Sequence, residues 1–340
     1  MALISRKKRP YPVGEGLRGY LGRHGRLSEL PVQYADLARF DEATPVYDKR
    51  GRDTLWQSVL YPSSLRRELS ADLVRTYAAM RALSDDSVMQ HLVTDRVDVC
   101  PYGNTRPFRV RILNTLNDNF DYFYVKKADA SRIYGLELED LLSPSRIQFV
   151  VCEDTLVEEH IPGIPGDQFI RDHLGDSRLE GVRLAKEFVK FNERCFARLL
   201  GDMHASNFVV TLIPDFDETI VRIRAVDFDQ QSYEGRCNVY MPKYYTQNNA
   251  IIDLARRCMT PETVRQYQEE EHALLRLRAR AEHEALADLL ATMSADELAP
   301  EEHVARLRQE LARHHRDERF LGCESMGELV RASLSRLAWE

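Results

Sequence analysis

Two short segments hold the residue types on which chemistry could be built. Asp202 and Asn207 form a D-x-x-x-x-N spacing where the pattern predicts a helix giving way to a strand. Asp227-Phe228-Asp229 closes the partner strand of the hairpin that follows. Strands joined by a tight hairpin run antiparallel, so the start of one lies beside the end of the other. Asn207 and Asp227 are therefore expected side by side at one end of the hairpin, with Asp202 in the loop just before. An amide oxygen and one or two carboxylates converging in a loop make a hard-oxygen site suited to Mg²⁺, which is commonly held by few protein ligands plus substrate phosphates. Asp202 is then left to orient a hydroxyl or take its proton. Asp229 is either a second acidic group near the metal or a hydrogen-bonding residue. His204 either touches substrate or supports the loop.

The elements that must position these residues fall into three zones. Residues 1–92 read as an N-terminal extension, loop-rich and then helical. Gly14, Gly16, Gly19 and Gly22 are expected to break up any regular element near the start. Within 63–92, Leu69, Leu73, Tyr77 and Met80 recur at helical steps. Residues 93–161 read as a small lobe of about five strands carrying one helix, with strands at 93–100, 108–113, 120–127, 147–152 and 156–161 and the helix at 130–142. Residues 162–340 read as a larger helical lobe. Its long helix, 178–200, puts Leu184, Phe188, Phe191, Cys195 and Leu199 on one face. The hairpin 208–226 follows, and after Asp229 the chain is expected to be helical to its end. The glutamates around 268–271 and 282–284 read as a solvated helix face.

Composition bounds the function. The chain has 340 residues, 44% hydrophobic and 30% charged, which is globular and excludes a mostly disordered or fibrous protein. No apolar run approaches the roughly 20 residues of a membrane span. The basic start, with Arg6-Lys7-Lys8-Arg9, has no apolar stretch after it, so a cytoplasmic location is expected. The six cysteines stand singly without a C-x-x-C pair, which argues against a zinc site and fits reduced thiols. Net charge is 47 − 54 = −7, giving no global case for nucleic-acid binding.

These motifs carry a resemblance. Leu-Gly-Asp-Met-His-Ala-Ser-Asn (200–207) resembles the catalytic loop of the aminoglycoside phosphotransferase and choline kinase branch of the protein-kinase-like fold, usually His-Gly-Asp-x-His-x-x-Asn. Ala-Val-Asp-Phe-Asp (225–229) is similar to its metal-binding segment, Val-Lys-Lys (125–127) to its phosphate-binding lysine strand, and Leu-Val-Glu-Glu-His-Ile-Pro-Gly (156–163) to its hinge. The resemblance covers roughly residues 93–260 and implies an α+β, bilobal fold: a small antiparallel-sheet lobe with one helix, and a larger helical lobe carrying a β-hairpin. It implies an ATP- and Mg²⁺-dependent phosphotransferase acting on a hydroxyl of a small molecule or protein. Asp202 would be the catalytic base or hydroxyl-orienting group, and Asn207 and Asp227 the Mg²⁺ ligands. Lys126 would hold the nucleotide phosphates. It is favoured over Lys127 because it directly follows Phe123-Tyr124-Val125, and adjacent strand residues face opposite ways. Its partner would be a glutamate of the helix. Glu137, flanked by Ile133, Tyr134 and Leu141, is favoured over Glu139, which points to the other side. Gly103 would cover the phosphates and Glu159 and Ile161 would meet adenine.

The chain departs from the pattern at Leu200, where the usual loop has histidine, and in having one glycine, Gly103, in the phosphate-covering turn. Those departures keep open a pseudokinase that binds nucleotide or a partner without catalysis, and the resemblance also allows a kinase-fold nucleotidyltransferase, with ATP bound in reverse.

Overall fold

The computed structural model describes residues 8–81, 89–103, 105–175, 180–216 and 218–337. Asn104 of the expected phosphate turn, Arg6 and Lys7 of the basic start and Asp217 of the hairpin turn lie outside them. The described chain forms two compact units. One comprises residues 21–129 and 147–160, and the other residues 8–20, 130–146 and 161–337.

After α1 (Glu15–Arg23) and α2 (Tyr34–Leu37), the first unit builds a seven-stranded antiparallel sheet. Its strands are β1 (Glu42–Tyr47), β2 (Asp53–Leu60), β3 (Leu92–Val99), β4 (Phe108–Asn114), β5 (Phe120–Lys127), β6 (Phe149–Cys152) and β7 (Thr155–Glu159), in the order β1-β2-β3-β4-β5-β7-β6. The five strands expected after residue 92 are all present. The hairpin β1–β2 was not expected. β1 is mostly exposed and β2 only partly buried, and both alternate poorly, so their periodicity is faint.

Strand β4 shows why the sheet has two chemically distinct faces. Its period of two buries Phe108, Val110 and Ile112 and turns Arg109 and Arg111 the other way. The buried set packs with Val97, Val99, Phe123, Val125 and Val157 against Leu69, Leu73, Tyr77 and Met80 of α3 (Ser63–Met80). Full burial of such side chains stabilises by about 1.5–3 kcal/mol each. On the opposite face Arg109 lies 4.4 Å from the Trp56 ring and donates to the buried Asp98 at 2.7 Å.

The expectation that glycines break the start of the chain is corrected by α1, which contains Gly16, Gly19 and Gly22. Leu17, Tyr20 and Leu21 are completely buried along it, so packing overrides weak propensity. Residues 8–20 are stitched into the helical unit. Ala130 N–H donates to Tyr11 O at 2.9 Å, and the Tyr20 hydroxyl donates to Glu137 Oε2 at 3.2 Å.

That unit begins its second stretch with α4 (Ala130–Leu142), every residue of which is buried. It continues through β8 (Ile164–Pro165), α5 (Gly166–Asp172), α6 (Gly181–Ala197) and the hairpin β9 (Phe208–Asp215)–β10 (Glu218–Ala225). Helices α7 (Asn249–Cys258), α8 (Pro261–Ala281), α9 (His283–Ala295), α10 (Glu301–His315) and α11 (Met326–Ser335) follow. All five expected face residues of the long helix region are buried, but α6 ends at Ala197 because Leu199 takes a left-handed φ of 54°. The segment after Asp229 is not continuously helical: short 3₁₀ turns occupy residues 237–248, where Pro242 has no N–H to give a helix. Glu271 is also not on a solvated face. It is 1% exposed and pairs with Arg194 at 3.3 Å. No described helix is long and apolar enough to cross a membrane.

Candidate functional site

The hairpin register sets the site. Phe208 pairs with Ala225, and Val226 N–H donates to Asn207 O at 3.0 Å, so Asn207 and Asp227 stand at the same end of β9–β10. The expected juxtaposition is present.

Asp202 reaches this end through a loop held by its backbone. Its own φ is 63°, a left-handed conformation that few residues other than glycine adopt. Such strain persists only where surrounding bonds impose it. The Asn207 amide donates to Asp202 O at 2.8 Å, while Asp202 N–H donates to the Tyr245 hydroxyl at 2.9 Å. Upstream, Gly201 N–H donates to Gln230 O at 3.1 Å and Ser232 N–H to Leu199 O at 2.9 Å. The Gln231 amide, fully buried, donates to Arg198 O at 2.6 Å. Thus the segment just after Asp227-Phe228-Asp229 supports the loop directly. Leu200, where the resembling loops have histidine, is simply buried there.

Burial, with the charges of Asp227, Glu234 and Asp229 nearby, pushes the Asp202 carboxyl up to about 7. A carboxylate so placed is a better proton acceptor than an ordinary one. His204 Nε2 lies 3.9 Å from Asp202 Oδ1, but burial lowers its pKa and disfavours its charged form. Its Nδ1 accepts from Ser206 N–H at 3.3 Å, a loop-supporting contact.

Asp227 is held differently. Its Oδ1 accepts from Arg132 Nη1 at 2.9 Å and from Asp229 N–H at 3.0 Å. The same Arg132 nitrogen lies 2.8 Å from Asp229 Oδ1. Between the two aspartates Phe228 is fully buried against Gly135 of α4, where an added Cβ would come within 3.0 Å of the Phe228 Cβ. A side chain there would push against Phe228 and Gln231, so glycine allows the closest approach. One turn further, Glu139 forms a buried ion pair with Arg198 at the foot of the Asp202 loop. Arg132, Gly135 and Glu139 share one helix face, which grips both chemistry-bearing segments. Arg132, Gln231 and Tyr245 were not singled out from sequence. The one available signal was an arginine at a three-residue step from a glycine in a helix otherwise rich in apolar residues.

The donor set fits Mg²⁺. Neither Asn207 Oδ1 nor Asp227 Oδ2 accepts a hydrogen bond from the described residues, leaving one amide oxygen and one carboxylate oxygen for a cation. Among the described residues no group of three His, Cys, Asp or Glu side chains is arranged to hold a metal. Mg²⁺ does not need one, because water and phosphate oxygens complete its shell.

The remaining expected residues lie as follows. Lys126 is buried on β5 with its Nζ 2.7 Å from Glu158 Oε2, whereas Lys127 is exposed. Glu137 accepts from the Tyr20 hydroxyl and points away from the Arg132–Glu139 face. Gly103 closes the β3–β4 turn, its N–H donating to Cys100 O at 3.3 Å. Glu159 accepts from Gln148 N–H at 2.9 Å and pairs with Arg81 at 3.3 Å. Ile161 is a buried residue at the start of the third stretch of the helical unit.

No family model matches the chain, and no curated protein matches it. Solved structures do. One described as titin kinase and its flanking domains is 13% identical, with 67% of this chain and 51% of that one covered at a TM-score of 0.22. A mutant of the Neurospora crassa PAN3 pseudokinase is 12% identical, with 95% and 70% covered at a TM-score of 0.20. The chain thus spans about half the length of the titin kinase structure. At such TM-scores neither likeness carries weight for the site, which is judged on its own geometry.

Proposed function

We propose that this protein is an ATP- and Mg²⁺-dependent phosphotransferase of protein-kinase-like type, moving the γ-phosphoryl group to a hydroxyl of a small molecule or protein. The observation that carries the reading is the Asn207 clamp. One side chain fixes the backbone of Asp202 from the same hairpin end at which Asp227 stands, which ties the proton acceptor to the two residues read as metal ligands. The preference for the aminoglycoside phosphotransferase and choline kinase style rests on the sequence motifs alone.

In this reading Asn207 Oδ1 and Asp227 Oδ2 hold Mg²⁺, which supplies charge neutralisation for the phosphates. Asp202 orients the acceptor hydroxyl and receives its proton as the new phosphorus–oxygen bond forms. The bond from the γ-phosphorus to the bridging oxygen breaks, and ADP departs with that oxygen. Lys126 is assigned to the nucleotide phosphates, sharing its ammonium with Glu158. Gly103 and the backbone near Glu159 and Ile161 complete the nucleotide contacts.

Leu200 favours a second reading, a pseudokinase, although Gln231 already supports the loop that a histidine would support. Calorimetry with ATP in Mg²⁺ and in EDTA, beside mass spectrometry of the protein after incubation with Mg-ATP, separates the two. The reading expects Mg²⁺-dependent binding and phosphoryl transfer. Equal affinity with and without metal would remove the metal assignment. Binding without transfer to the protein or any acceptor would leave the pseudokinase, and added AMP would identify a nucleotidyltransferase. Lys126→Ala is expected to weaken nucleotide binding far more than Lys127→Ala.

A further inference from the structure

Arg132 is 2% exposed, yet a guanidinium does not lose its proton in a protein. A permanent positive charge is therefore built in at the end of β10. One nitrogen, Nη1, meets both Asp227 Oδ1 and Asp229 Oδ1 at 2.9 and 2.8 Å. The two carboxylates differ in exposure: the Asp227 side chain is 37% exposed and that of Asp229 only 12%. Asp229 is turned inward to the guanidinium, while Asp227 keeps one oxygen, Oδ2, outside the arginine's grip. Phe228 against Gly135 locks this arrangement, since turning Asp229 outward would require the buried ring to move.

A phosphoryl-transfer site that uses two divalent ions needs oxygen ligands for both. In a kinase-like site both ions share the same aspartate and the loop asparagine; here one of the two Asp227 oxygens, Oδ1, is already taken by the Arg132 guanidinium, which also holds Asp229. We propose that Arg132 is the resident cation of this site, standing in for a second divalent ion, so that the chain uses a single Mg²⁺ held by Asn207 and Asp227. Asp229 serves the guanidinium and not the metal. The inference rests on the phosphotransferase reading and specifies its metal requirement.

The test is a Mn²⁺ titration of the full chain with a non-hydrolysable ATP analogue, free Mn²⁺ being counted from its electron paramagnetic resonance signal. One ion per nucleotide-bound chain is expected. Asp229→Asn should lower Mn²⁺ affinity by no more than about 10–100-fold, as loss of a supporting partner does, and Asp227→Asn by more than that, because only the latter removes a ligand. Arg132→Lys keeps one ion, and Arg132→Met admits a second. If Arg132→Met does not fold, the aspartate pair decides the matter in the wild-type background. Two ions per wild-type chain, or equal losses from Asp229→Asn and Asp227→Asn, would overturn the inference and leave the phosphotransferase reading standing. Nucleotide bound with no Mn²⁺ at all would overturn both.

Discussion

Asp202 and Asp227 stand in the same unit, beside the same hairpin end, and are held in opposite ways. Asp202 is fixed through its backbone by Asn207 and Tyr245. Burial and neighbouring acids raise its carboxyl to about 7. Asp227 is fixed through its side chain by a buried arginine. The first arrangement leaves a carboxylate basic and oriented; the second fixes an oxygen and offsets its charge. Two identical side chains thus acquire different chemistry from what they are tied to. This is the pattern expected when one must accept a proton and the other must hold a cation.

The sharpest way to break the comparison is Asp202→Asn, which keeps size and removes charge. Turnover should fall by about 10²–10⁴-fold with little change in nucleotide affinity, because a positioned proton acceptor acts on the transition state. ATP turnover measured beside calorimetry checks this. A loss of affinity comparable to the loss of rate would place Asp202 among the nucleotide-binding groups instead.

Next in size is the foot of the loop. Glu139→Ala leaves Arg198 buried without its counter-ion and should cost about 3–5 kcal/mol in urea unfolding. A loss under about 1 kcal/mol, as for an exposed pair, would mean that Glu139 does not anchor the loop. Gln231→Ala should cost less, about 1–3 kcal/mol, by leaving the Arg198 carbonyl without its donor. It should also lower turnover, since the carbonyl belongs to the segment leading to Asp202. Unchanged turnover in a folded Gln231→Ala protein would show that the histidine-like support lies elsewhere.

The smallest effect runs against the first. Asp202 has a folded-state pKa raised from 3.8 to about 7, so above pH 4 the folded chain binds more protons than the unfolded one and stability declines as pH rises through this window. Removing the carboxylate should therefore stabilise the metal-free protein by about 1–2 kcal/mol at pH 7 and above, a gain that shrinks toward pH 4. Urea titrations in EDTA at several pH values check the sign. Asp202→Asn destabilising the protein at pH 7 would show that the loop needs the charge for its own structure.

Much of this was legible in the sequence because it depends on local rules. Asn207 and Asp227 follow from hairpin geometry, and Lys126 and Lys127 separate because a strand alternates. Glu137 and Glu139 point apart because the helical period demands it. What the sequence hid are contacts made across long stretches of chain. Arg132 finds Asp227 95 residues away, and Gln231 finds Arg198 33 residues away, with no spacing rule to betray either. The β1–β2 hairpin was hidden for another reason. With one isolated buried residue, Val59, it lacks the alternation that marks a half-buried strand. In α1 the glycines misled, because their low propensity is outweighed by Leu17 and Tyr20.

Residues 8–20 and α4 belong to one compact unit although the whole of 21–129 separates them. The sheet unit is, in connectivity, an insertion. During synthesis the segment carrying Leu17 and Tyr20 leaves the ribosome well before Glu137, more than one hundred residues later, arrives to meet it. A shortened gene beginning near residue 93 would omit this segment and strip a buried wall from the unit that bears Asp202. Circular permutation offers the constructive counterpart: a chain opened in the sheet unit, with residues 8–20 delivered last, would finish the helical unit with its own closing piece.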